Sequence, residues 1–128
     1  MITKILIVDD DKEILKSMEK KFSSKGYGVV TAKQGKEAVE KAKREIPNLI
    51  LMDIVLPDIE GSEAVRLIKE NPSLKKIPVI FISGVLLKEN DGSSATEIKV
   101  AGQQYRAFCK PFNFEALFQE VEKELSYF

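Results

Sequence analysis

The chain has 128 residues, enough to bury the core of one domain. Lys plus Arg and Asp plus Glu stand at 20 each, so no net field draws the protein to nucleic acid or an anionic membrane. There is no histidine, which removes histidine-based triads, the usual zinc sites and any phosphohistidine on this chain.

Apolar runs reach about four residues against the ~20 a membrane span needs, and the amino terminus lacks a basic segment followed by an apolar signal core. A cytoplasmic protein is expected. Cys109 has no second cysteine to pair with and lies in an apolar segment, so it reads as a small buried hydrophobe.

Residues 2–8 read as a buried strand, and residues 12–25 carry Leu15, Met18 and Phe22 at helical spacing before Gly26. Tyr27 to Thr31 is a second strand. A helix from about Lys36 follows, with Val39, Ala42 and Ile46 on one face and Pro47 as its stop. Asn48 to Asp53 is a continuous apolar strand, as expected when both faces are covered, and Pro57 and Gly61 mark a loop before a helix over Ser62–Glu70.

Ile77 to Ile82 repeats the buried-strand pattern. The stretch from Gly84 to Gly102 departs from it: a polar, turn-rich loop over Leu86–Ser94 precedes Ser94-Ala95-Thr96-Glu97, a capping-box pattern that predicts a short fourth helix. Arg106 to Cys109 gives a fifth strand. Phe114, Leu117, Phe118, Val121 and Leu125 form the inward stripe of a last helix capped by Asn113. The alternation predicts an α/β fold, a doubly wound five-stranded parallel sheet with helices on both faces, flavodoxin-like (βα)5, over residues 1–128 as one domain.

Three signals sit at the carboxyl ends of predicted strands, where open α/β sheets bind ligands: Asp9-Asp10-Asp11, Asp53, and Lys110-Pro111. Carboxylates about 4 Å apart repel by roughly 4 kcal/mol per pair at an effective dielectric of about 20, so they need a cation or a proton. An all-oxygen site suits magnesium, with manganese as its test-tube substitute. Asp10 and Asp53 are candidate direct ligands, Asp9 acts through water, and Asp11 caps the first helix. Asp53 is also a candidate nucleophile toward phosphorus, with the Lys110 ammonium and the Ser83 hydroxyl as donors to a phosphoryl group in flight.

Ile5-Leu6-Ile7-Val8-Asp9-Asp10, Leu51-Met52-Asp53 through Pro57-Asp58-Ile59-Glu60-Gly61, Val79-Ile80-Phe81-Ile82-Ser83-Gly84 and Lys110-Pro111-Phe112 together resemble the receiver domains of two-component response regulators, in the family's order and spacing. The resemblance implies Asp53 as phosphoacceptor, a magnesium pocket of Asp9, Asp10, Asp53 and the main-chain carbonyl of Val55, Ser83 as switch hydroxyl and Lys110 as phosphate-contacting lysine. It implies a phosphohistidine donor on a sensor histidine kinase or phosphotransfer protein, and signalling through an output protein rather than turnover of a metabolite. A stand-alone receiver of the chemotaxis type is expected.

The chain departs from the family in two places. Ala107 stands where the family usually has Tyr or Phe; Tyr105 lies two residues earlier on the same strand face, and Phe108 points to the other. The stretch between Ser83 and Lys110 is also longer than the family's by about five residues, an insertion that is cheap in loop-closure entropy. Two rival readings are a degenerate receiver acting as a phosphorylation-independent scaffold and a haloacid-dehalogenase-type phosphatase with Asp9 as nucleophile and Asp11 as acid. A flavodoxin-like electron carrier is disfavoured because three acids occupy the place of its phosphate loop.

The resemblance also implies that the positions two residues after the acceptor and the switch hydroxyl influence dephosphorylation; here they are Val55 and Val85, both apolar and unable to orient an attacking water. The phosphorylated chain is therefore expected to lose its label slowly. Changing the pair to Asn and Glu is expected to speed that loss, followed as decay of the phosphoprotein mass; an unchanged rate counts against the assignment.

Overall fold

A computed structural model describes residues 2–84 and 95–126. Strand and helix alternate as β1 Lys4–Val8, α1 Lys12–Ser24, β2 Gly28–Ala32, α2 Gly35–Glu45, β3 Leu49–Asp53, α3 Gly61–Lys69 and β4 Val79–Ser83. After the undescribed residues come β5 Thr96–Val100, β6 Gln103–Cys109 and α4 Phe114–Leu125. The sheet order is β2-β1-β3-β4-β6-β5, with every pairing parallel except that of β5 with β6.

Side-chain alternation along the central strands explains why this sheet needs helices on both faces. Leu6, Val8, Ile50, Met52, Val79, Phe81 and Ala107 pack with buried residues of α2 and α3. Ile5, Ile7, Leu49, Leu51, Ile80, Ile82 and Phe108 pack with those of α1 and α4. β3 and β4 are buried along their whole length, as their unbroken apolar sequence predicts. The doubly wound expectation therefore holds for the five parallel strands and for the four helices that cover them.

The predicted short fourth helix is corrected: Thr96–Val100 is a strand, antiparallel to β6. Thr96, Ile98 and Val100 are β-branched at every second position, and Ile98 and Val100 pack against the first of the two cores beside Tyr105. The capping-box pattern lost to that two-residue period and to the turn that follows it. Ala101 and Gly102, at φ 49° and 83°, form a two-residue connection with both residues left-handed, the geometry that suits the twist of a hairpin. The predicted Leu86–Ser94 loop and Val85 lie outside the described residues.

Two smaller expectations also change. Ile46 lies beyond the end of α2 at φ 45° and is exposed, because Pro47 ends the helix one residue before it. Cys109 is only half-buried, at the end of β6 where the sheet opens to the surface.

Ala101 carries a β-carbon into a conformation that costs ordinary residues about 1 kcal/mol or more. Ala101→Gly is expected to stabilise the fold by about 0.5–1 kcal/mol, net of glycine's greater unfolded entropy, read as a higher urea midpoint. A lower midpoint speaks against this turn geometry.

Candidate functional site

In the parallel part of the sheet the chain winds one way from β1 to β2 and the other way from β3 onward, so a crevice opens where β1 and β3 lie side by side. The register sets Val8 beside Met52 and Asp53 beside Ile82. Asp9 therefore leaves the end of β1 next to Asp53 at the end of β3, and Ser83 ends β4 on the other flank. Lys110 follows β6, and its amide donates to the Ser83 carbonyl at 2.8 Å.

The side chains of Asp9, Asp53 and Lys110, up to about a hundred residues apart in sequence, form one cluster with Asp10. Carboxylate oxygens of Asp9, Asp10 and Asp53 lie within 4.8 Å of one another. Asp9 and Asp53 are buried, whereas Asp10 is exposed at the rim. Lys110 Nζ bridges the two buried acids, 2.6 Å from Asp9 Oδ2 and 2.9 Å from Asp53 Oδ2. The Val55 amide donates to Asp53 Oδ1 at 3.2 Å, and the Asp11 amide donates to Asp9 Oδ1 at 2.9 Å. Ser83 is fully buried at the end of its strand.

This arrangement leaves charge imperfectly balanced. Burial raises the Asp53 carboxyl above its ordinary range, with the Asp9 charge adding to the rise and Lys110 and the Val55 amide working against it. Burial acts to lower the Lys110 ammonium, but the carboxylates of Asp9 and Asp53 beside it more than offset this, so its affinity for a proton rises. Asp9 Oδ2 is buried with the ammonium close by but without hydrogen-bond direction. A buried carboxylate oxygen so placed is a natural ligand for a hard cation.

Three carboxylates gathered this closely form an all-oxygen set that fits a hard divalent cation such as magnesium. Asp11 stands outside the cluster. Its Oδ1 accepts from the amides of Glu13 and Ile14 at 2.9 and 3.2 Å, which commits it to capping α1 and takes it away from the acid role the phosphatase reading requires.

Two supports of the site were not evident in the sequence. Gly61, read there as a loop marker and as the end of the segment that follows the acceptor strand, begins α3 directly beneath that strand: a β-carbon at this position meets the Asp53 carbonyl oxygen at 2.0 Å. Asp58 reaches across from the β3–α3 loop, its two carboxylate oxygens accepting from the amides of Gly35 and Lys36 at 2.8 and 2.9 Å. Acidic residues before a helix usually cap it locally; this one caps α2, more than twenty residues away, and nothing in the local pattern signals that.

A family model for the response regulator receiver domain matches residues 5–122. The chain belongs to that family. It is 32% identical over 125 residues to protein PilG of Pseudomonas aeruginosa, a match covering 98% of this chain and 89% of PilG. Among solved structures, a CheY-like response regulator receiver domain protein from Methanospirillum hungatei superposes with a TM-score of 0.80 at 31% identity, over 99% of this chain and 96% of that one. The response regulator TrrA of Thermotoga maritima, solved in complex with Mg(2+)-BeF, gives 0.78 at 26% identity, over 96% and 99%. Several longer relatives are spanned by this chain over only 19% to 53% of their length.

Receiver domains are signalling modules of two-component systems that work with histidine kinases or phosphotransfer proteins and hold magnesium in an acidic pocket. In this chain the carboxylates of Asp9, Asp10 and Asp53 gather in a group able to hold a metal ion. No helix among the described residues is long and apolar enough to cross a membrane.

The switch region shows how the receiver accommodates Ala107. That residue is fully buried beside Phe81, and Tyr105, on the same face, packs edge-on against the Phe81 ring with centroids 5.4 Å apart. Phe108 lies on the opposite face with α1 and α4, as strand alternation requires.

Slight burial works against ionisation of Asp58, but the amides of Lys36 and Gly35 outweigh it and hold the carboxyl below its ordinary range. The folded value is the lower one, so the stabilisation is present above the unfolded value and is lost as pH falls through the folded value. Asp58→Ala is expected to cost about 1 kcal/mol at neutral pH. Urea unfolding is expected to show the gap between wild type and variant closing below about pH 4. A gap that persists in acid overturns the charged-cap account.

Proposed function

We propose that residues 1–128 act as one phosphoacceptor receiver, taking a phosphoryl group from a phosphohistidine of a sensor kinase or phosphotransfer protein onto Asp53. The observation that carries this reading is the ammonium of Lys110 held between two buried carboxylates at the strand ends, a site built around charge it does not itself balance.

An Asp53 carboxylate oxygen attacks the phosphorus in line; the new oxygen–phosphorus bond forms as the nitrogen–phosphorus bond breaks, and the electron pair leaves with the donor imidazole. Asp9, Asp10, Asp53 and the Val55 carbonyl would hold Mg2+, which would supply positive charge against the phosphoryl oxygens. Lys110 and Ser83 donate to the same oxygens. Lys110 then exchanges its bond to the Asp53 oxygen for one to the incoming group, so the ammonium stays paired throughout.

The product adds negative charge at the ends of β3 and β4, and the response is a changed affinity for an output protein. The complete acid set and the half-buried lysine that bridges it favour this over a phosphorylation-independent scaffold. A cytoplasmic location fits a donor that is itself a cytoplasmic histidine phosphoprotein.

Intact mass after incubation with acetyl phosphate tests the proposal. One phosphoryl adduct is expected, dependent on Mg2+ and absent from Asp53→Asn. No adduct on folded wild type favours the scaffold, and an adduct that survives the substitution transfers the nucleophile to Asp9.

A further inference from the structure

β5 closes one edge of the sheet, and among the described residues only β6 pairs with it. Val100 and Gln103 flank the two-residue turn, so they exchange backbone hydrogen bonds, and alternation directs the N–H and C=O groups of Val100, Ile98 and Thr96 toward β6. Those of Glu97 and Lys99 face outward. An edge of this kind is a template for a further strand unless charge, proline or a bulge blocks it.

The side chains on this edge do not block a copy of themselves. Glu97 and Lys99 are exposed, of opposite sign, and placed symmetrically about Ile98. We propose that this receiver self-associates through β5, two copies pairing antiparallel about a two-fold axis at Ile98 to make one continuous sheet. In that register each Glu97 faces the Lys99 of the copy, and each such pair exchanges two N–H···O=C bonds through the outward groups. Ile98 faces Ile98, and Thr96 faces Val100, on the half-buried face that Tyr105 and the first core already occupy.

Shifting the register by two residues either way sets Glu97 against Glu97 or Lys99 against Lys99. A shift by one residue sets outward groups against groups already spent on β6. Charge and hydrogen bonding therefore select the same register, and they select a second copy of this chain over a strand of arbitrary sequence. The inference does not rest on phosphoryl chemistry at Asp53.

Five residues per strand make a small interface of the transient class, so sedimentation equilibrium of the full chain from about 10 µM to about 1 mM is the appropriate measurement. Wild type is expected to form a reversible dimer. Glu97→Lys and Lys99→Glu each turn two attractions into two repulsions and are expected to weaken self-association by about tenfold or more. An equimolar mixture of the two single variants is expected to associate again, as is the double exchange Glu97→Lys with Lys99→Glu, because both restore opposite charges across the axis.

Both exchanged residues are exposed, and circular dichroism verifies that each variant keeps the fold. A wild type that stays monomeric over the whole range overturns the proposal. A dimer indifferent to the single substitutions overturns it too, by assigning association to another face.

Discussion

Everything at the functional end of this molecule follows from two carboxylates buried side by side. Asp9 and Asp53 leave adjacent parallel strands at the same level, and a repulsion of several kcal/mol between them is tolerable only with a cation in reach. Lys110 meets that need, and the fold is arranged to deliver it: β6 pairs with β4 in the register that brings the Lys110 amide to the Ser83 carbonyl. Because the ammonium touches both acids, whatever changes charge at Asp53 is felt at once by the strand end that carries Lys110.

The far side of the sheet obeys a different logic. Where doubly wound folds place another crossover helix, the described residues form a hairpin strand whose apolar face is only half covered. Ala107 and Phe81 trade volume across β6 and β4, and Tyr105 rests its ring against Phe81 instead of standing free to swing. This edge of the sheet thus offers backbone and alternating charge, a flatter surface than a helix provides.

The sequence was most legible where periodicity was strong and burial complete. β3 and β4 announced themselves as unbroken apolar runs, and the clustering of Asp9, Asp10, Asp53 and Lys110 followed from their common placement after strands. Asp11 as a helix cap was equally visible, since a cap is a local event. The hairpin was missed because Ser94-Ala95-Thr96-Glu97 satisfies a helix-start pattern, while the decisive features were β-branching at alternate positions and two left-handed residues at Ala101-Gly102. Gly61 and Asp58 were illegible for another reason: both act across the fold, one against a carbonyl in β3 and one on the end of α2, and contacts of that range leave no trace in local spacing.

Those two residues also settle how the loop after the acceptor bears a load. The loop is tied down at its start by the Ile54 amide on the Ile82 carbonyl, and near its end by Asp58 on α2 and by the Gly61 amide on the Ile54 carbonyl. Between the anchors, Val55 is exposed and Pro57 has its φ fixed by its ring. The acceptor strand is thereby coupled through one short loop to two other elements, β4 by the Ile54 amide and the N-terminus of α2 by the Asp58 carboxylate.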